Sequence, residues 1–204
     1  LFKANEYSMK LSEARQDPSK RPAFDMKLDA MLPVVRKQLP LKAHAHRADD
    51  ICTAIRIAKE FDLKLTLEHV TEGQFILPQL QAANVPLAVG PNLHANSKFE
   101  IRNMTFTTPG VLSKAGLQVS IVTDAPIVPL KYLAMSAGLA VKSGMDHTEA
   151  LKAITINPAK HLGIADRVGS LEVGKDADIV ITDGDPLAMF TTVRTVLING
   201  EIVA

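Results

Sequence analysis

Between residues 41 and 124 the sequence repeats one pattern: a short β-prone apolar run, then a stretch with helical character. The runs are Leu41-Lys-Ala-His-Ala-His46, Leu63 to His69, Val85 to Gly90 and Leu117 to Asp124. The first is followed by a helical pattern to about Phe61, with Asp49 or Asp50 available as its cap. Helical patterns also follow at about Gly73 to Ala83, Pro109 to Ala115 (after a longer loop) and Leu130 to Ser143. Strands alternating with helices predict βα units and a parallel sheet. Four such units are half of a closed eight-stranded barrel.

The flanks differ. Glu13 to Pro22 is polar and holds Pro18 and Pro22, which reads as an exposed connection. Asp25 to Lys37 has helical spacing of Met26, Leu28, Met31, Leu32 and Val35, with Pro33 expected to kink the helix or reset its start. β-rich runs return only after Gly174, at Ala177 to Thr182, Val193 to Ile198 and Glu201 to Val203. Asn199-Gly200 is a hairpin turn signal. The expected division is a polar connection and helix over 1–39, a barrel segment over 40–165 and a strand-rich tail over 166–204.

Composition narrows the function classes. The 204 residues carry 23 basic and 22 acidic side chains. That balance lacks the basic excess of an electrostatic nucleic-acid binder. No apolar run approaches the ~20 residues of a membrane span, and no signal peptide is visible. The one cysteine, Cys52, excludes an intramolecular disulfide and fits a reducing cytoplasm. Its setting in an apolar helical pattern marks it as a small buried hydrophobe rather than a nucleophile.

The residues able to do chemistry fall at strand ends. His44 and His46 end the first run, His69 the second and Asp124 the last. In a parallel α/β barrel such residues converge on the face where active sites sit. Imidazole nitrogens and carboxylate oxygens suit zinc and similar metals, and a carboxylate beside a metal-activated water can also move its proton. A single strand-end histidine is more often an ordinary polar residue; three ligand-type residues in one βα series are harder to assign to chance. In the loop after the third run, His94, Lys98 and Glu100 are candidates for substrate binding, with plain loop polarity as the competing reading. His147 sits at an expected helix start, and His161 is expected to pack within the tail.

Lys42-Ala-His-Ala-His-Arg-Ala-Asp-Asp-Ile51 resembles the strand-five motif of the amidohydrolase superfamily, in its imidazolonepropionase-like and prolidase-like branch. Leu67-Glu-His-Val-Thr-Glu72 resembles the strand-six motif and Val122-Thr-Asp-Ala-Pro126 the strand-eight motif. Thr155 to Gly163, Gly169 to Val180, Asp183 to Leu187 and Val196 to Val203 are similar to the family's tail. The resemblance covers nearly everything from residue 25 onward. It implies a partial (β/α)8 TIM-type barrel, strands five to eight, followed by the C-terminal strands of a small β-sandwich.

The resemblance further implies that His44 and His69 are metal ligands, and that Asp124 holds metal and shuttles a proton. His46, two residues along the same strand, would face the same side as an auxiliary or substrate contact. The metal would be divalent: zinc first, iron or manganese as alternatives. The reaction would be hydrolysis of a C–N bond in a small amide or cyclic amide. The family's strand-one His-x-His and its strand-four Lys or Glu find no counterpart here. The chain therefore reads as a fragment, a split gene product or a truncation. It is expected to pair with a second copy or with the missing half. The rival reading is a catalytically incomplete piece, or scaffold, that retains part of the metal site.

Overall fold

In a computed structural model describing residues 1–204, the repeat becomes one four-stranded parallel sheet. Its strands are β1 (Leu41–Ala45), β2 (Leu65–His69), β3 (Leu87–Val89) and β4 (Val119–Ile121), hydrogen-bonded in that order. The register pairs Leu41 with Leu65, Leu67 with Leu87 and Leu87 with Val119. Between them run α3 (Ala48–Glu60), α4 (Leu77–Ala83) and α5 (Thr108–Lys114).

Strand side chains alternate between faces. Ala45, Leu65, Leu67, Leu87, Val89 and Val119 are buried in one cluster with Ile51 of α3, Leu80 of α4 and Leu112 of α5. Lys42, His44 and Glu68 have the opposite parity and line a cavity on the sheet's other face. One face of the sheet is thus an apolar core, and the other carries charge and imidazole.

A second cluster joins Ile121 to Ala137 and Ala140 of α6 (Leu133–Lys142), Ala150 and Ala153 of α7 (His147–Ala153), and Leu187. After α7 comes α8 (Ile156–Leu162), whose Asn157 Nδ2 donates to Val119 O at 2.8 Å, at the beginning of β4. That bond sets α8 under the N-terminal end of the sheet. The tail forms a separate antiparallel sheet of β5 (Ile179–Thr182), β6 (Val193–Ile198) and β7 (Glu201–Ile202). Asn199 and Gly200 turn the last hairpin with φ of 52° and 83°, the two positive values a type I′ turn requires. No helix is long and apolar enough to cross a membrane.

The structure departs from the sequence pattern in several places. An additional helix, α1 (Phe2–Glu13), for which the sequence pattern assigns no element, buries Ala4 and Tyr7 and packs on the following helix. That helix, α2 (Met26–Val35), starts at Asp25, whose carboxylate accepts from the N–H groups of Lys27 and Leu28. Pro33 lies inside α2 and neither ends it nor resets its start. The expected helix from Gly73 is a 3-10 turn over Gly73–Phe75 and then α4 from Leu77. Neither Asp49 nor Asp50 caps α3. Both lie within its first turn, and the cap position is Arg47, whose side chain makes no capping bond. The strands are also shorter than the apolar runs, so His46 and Asp124 lie just beyond β1 and β4.

Candidate metal centre

His44, His46 and His69 come together at the C-terminal ends of β1 and β2. Their ligand-capable nitrogens all lie within 4.8 Å of one another. The His46 and His69 rings stack at 4.4 Å between centroids, and His44 meets them edge-on at 4.8 and 4.4 Å. His46 and His69 are buried, whereas His44 is exposed to the cavity.

His44 reaches this place by parity alone, two residues after Lys42 on the same face. His69 does not. Its parity matches Leu65 and Leu67, which face the helices. At His69 and Val70, however, the backbone turns left-handed, with φ of 74° and 48°. Non-glycine residues seldom adopt this conformation, and it costs about 1–3 kcal/mol where it occurs. Here it breaks the alternation and brings the His69 ring against His44 and His46. Asp124 is also left-handed, with φ 49°.

Hydrogen bonds orient the rings. The Nδ1–H of His69 donates to Gly90 O at 2.6 Å, which leaves Nε2 with the lone pair. Nδ1 of His46 lies 2.8 Å from Thr71 Oγ1. Burial, reinforced by the neighbouring His69 and His44, pushes the His46 ring down to about 4, so it is neutral at ordinary pH. Neutral imidazoles with one nitrogen tied and the other free are the form that binds a metal. The donor set therefore fits a divalent ion of the zinc type.

Asp124 is not one of this close group, but it lines the same cavity of about 580 Å³ with His44, His69, Lys42 and Glu68. The other candidates lie further off. His94 and Lys98 are on the exposed loop after β3, and Lys98 sits 3.8 Å from Glu100. The charges of Glu100 and Lys98 act on His46 in opposite directions. His147 pairs at the surface with Asp185, 2.8 Å away.

His161 packs in an unexpected place. From α8 its Nε2 approaches Glu68 Oε1 and Lys42 Nζ, each at 3.1 Å, beneath the histidine group. Nδ1 of His161 is buried without a partner. A bare acceptor there is cheaper than a bare N–H, and Lys42, served directly by Glu68 at 2.9 Å, does not need Nε2 as its acceptor. Hence Nε2–H donates to Glu68. Burial raises the Glu68 carboxyl, but the bonds from His161 and Lys42 outweigh it and hold it down at about 2.

Like Lys42, Glu68 and Thr71, two further residues of the site had no candidate role in the sequence. Glu72, three residues after His69, is buried, with Oε2 accepting from the N–H of Ala48 (2.9 Å) and Oε1 from Asn103 Nδ2 (2.8 Å). Gly90 has φ 130°, and a Cβ there would sit 2.3 Å from Val122 O. The only sequence signals for them were the position of Glu72 inside the strand-six-like motif and that of Gly90 at a strand end.

The sequence matches the amidohydrolase family over residues 18–203. The chain belongs to the amidohydrolase family. The crystal structure of an amidohydrolase from Thermotoga maritima MSB8 superposes on the whole chain with a TM-score of 0.94 and 39% identity, and the match takes up 53% of that protein. Imidazolonepropionases are among the curated relatives. That of Maricaulis maris is 30% identical over 173 residues, 81% of this chain and 41% of its own. That of Thermoplasma volcanium is 43% identical over 103 residues, 46% of this chain and 25% of its own. This amidohydrolase chain thus spans about half of the Thermotoga protein and less of those two relatives. The likeness extends to a TIM-barrel-type α/β fold, here a four-strand parallel sheet with a small antiparallel sheet.

Proposed function

We propose that this chain supplies strands five to eight of a (β/α)8 barrel and the metal-binding half of a site that hydrolyses a C–N bond in a small amide or cyclic amide. The observation that carries the reading is the convergence of three imidazole nitrogens within 4.8 Å at the ends of two parallel strands. His44 and His69 serve as metal ligands, with zinc the first choice and iron or manganese the alternatives. His46 stands beside them as an auxiliary contact. Asp124 completes the set from the segment just after β4.

A divalent ion at such a site supplies Lewis-acid polarisation and lowers the pKa of water to about 7. The chain's own part is to hold and move protons. Asp124, exposed on the cavity wall, takes a proton from the attacking water at its carboxylate and returns it to the leaving nitrogen. His69 keeps its tautomer through Gly90. Lys98 and His94, on the loop after β3, contact substrate from the rim.

Metal analysis of the purified chain, together with a hydrolysis screen against cyclic and acyl amides, tests the reading. The expected result is stoichiometric divalent metal, lost on combining His44→Ala with His69→Ala. Metal retained by that double variant would refute the ligand assignment.

A second reading is favoured by the span of the chain, about half of the Thermotoga protein: a metal-holding but catalytically incomplete unit. β1 and β4 are both edge strands of the sheet, and unpaired edges seek partners. The partner is a second copy or the remaining strands of a longer protein. Activity only in a longer form would favour this reading. A stable monomer by light scattering would count against the need for a partner.

A further inference from the structure

Glu72 sits where three loops meet at the C-terminal end of the sheet. Its own N–H donates to His46 O at 2.9 Å, and its carboxylate takes the Ala48 N–H at the start of α3. The preceding residue, Thr71, is the partner of His46 Nδ1. Val70 adds a bond from its N–H to Ala45 O at 3.0 Å. Residues 70–72 thus grip residues 45–48 at four points. On its other side the Glu72 carboxylate holds Asn103, in the loop where Phe99 carries Arg102 and Arg47 over its ring, at 4.1 and 5.5 Å.

The chemistry of the grip requires a carboxylate. Two N–H donors, Ala48 and Asn103, converge on it, and a carboxylate offers two acceptor oxygens. α3 has no capping side chain of its own, so Glu72 supplies from another loop the negative charge that a helix N-terminus favours. Two of the segments it ties, 45–48 and 70–72, carry or adjoin a histidine of the group, and the third, 99–104, stacks Phe99 under Arg47, the neighbour of His46. We infer that Glu72 is a positioning residue of the metal centre: it locks the His44–His46 segment and the 99–104 loop onto the His69 loop, and thereby sets the spacing of the imidazoles. The inference rests on the reading of the histidine group as a metal site.

The test exploits donor and acceptor counts. Glu72→Gln offers one acceptor and one donor, so either Ala48 or Asn103 loses its bond and faces an N–H2. Adding Asn103→Asp re-pairs the side chains: the new amide donates to the new carboxylate, and its oxygen keeps Ala48. Co2+ is titrated into the metal-stripped chain and followed by its visible d–d bands, and amide exchange is measured at Ala48. Glu72→Gln is expected to weaken Co2+ binding by about tenfold or more, the usual range for groups that orient ligands, and to speed exchange at Ala48. The double variant recovers both.

Should Glu72→Gln fail to fold, Asn103→Ala removes a single donor and is expected to weaken Co2+ binding by a smaller factor. Unchanged Co2+ affinity in a folded Glu72→Gln chain, or in Asn103→Ala if that chain is used instead, overturns the inference alone. So does a loss that Asn103→Asp does not restore. No Co2+ uptake by the unsubstituted chain overturns the metal reading, and the inference with it.

Discussion

The imidazole of His69 is aimed by the carbonyl of Gly90, 2.6 Å from its Nδ1. That carbonyl stands where it does because residue 90 lacks a side chain. The backbone there has φ 130°, and the nearest atom to a hypothetical Cβ is Val122 O at 2.3 Å. Gly90→Ala must therefore part β3 from the end of β4 or rotate the carbonyl away from His69. The expected cost is at least about 1–3 kcal/mol from backbone strain, read as a lower urea midpoint, together with weaker metal binding. Unchanged values for both would show that the ring is held by something else.

His46 links stability to pH. Its ring is held at about 4 against an ordinary 6.5, first by burial and then by its electrostatic interaction with His69 and His44. The unfolded chain therefore binds a proton more readily than the folded one between those values. Stability is full above about 6.5 and falls as pH drops toward 4. The metal-free chain should lose about 1–2 kcal/mol between pH 6.5 and pH 5 from this group. Urea titrations of His46→Gln at the same two pH values should show a shallower loss.

The trio beneath the histidines behaves differently. Glu68 is held down at about 2 from 4.5, so its contribution is present above 4.5 and disappears as pH falls through about 2. Glu68→Leu would leave the buried His161 N–H without an acceptor, at a cost of about 1–3 kcal/mol. Lys42 is half-exposed, and its ion pair is worth at most about 1 kcal/mol. Chemical denaturation should therefore rank Glu68→Leu well below Lys42→Met in stability; the reverse order would refute the assigned hydrogen-bond roles.

Leu67 tests the core beneath the site. It is fully buried on the helix side of β2. Truncation to Ala should cost about 2–5 kcal/mol and leave the cavity-facing groups in place. A folded Leu67→Ala chain that binds metal normally at low temperature, yet melts early, is the expected result. Loss of metal binding with unchanged stability would contradict it.

Alternating runs made the parallel sheet legible, because strand parity is a local property: Leu65 and Leu67 face one way and Lys42 and His44 the other on spacing alone. The hairpin at Asn199-Gly200 was legible for the same reason. His69 was found as a strand-end histidine, but its way into the site depends on a left-handed backbone that no apolar pattern announces. His46 joins the close group and Asp124 stays on the cavity wall, a difference that strand-end position alone does not make. α1 was missed because its buried residues, Ala4 and Tyr7, are too sparse to mark a face. The cap of α3 was sought at Asp49 and Asp50, whereas Glu72 provides it from 24 residues away.

The contact between Glu68 and His161 spans 93 residues, whereas the histidine group and its clamp lie between residues 44 and 72, apart from Asn103 and Gly90. Without α8 the Glu68 carboxylate would have Lys42 but no imidazole, and the underside of the sheet would have no floor. The site thus depends on contacts of two kinds: its rim is tied by neighbouring loops, and its base is closed by a helix far along the sequence.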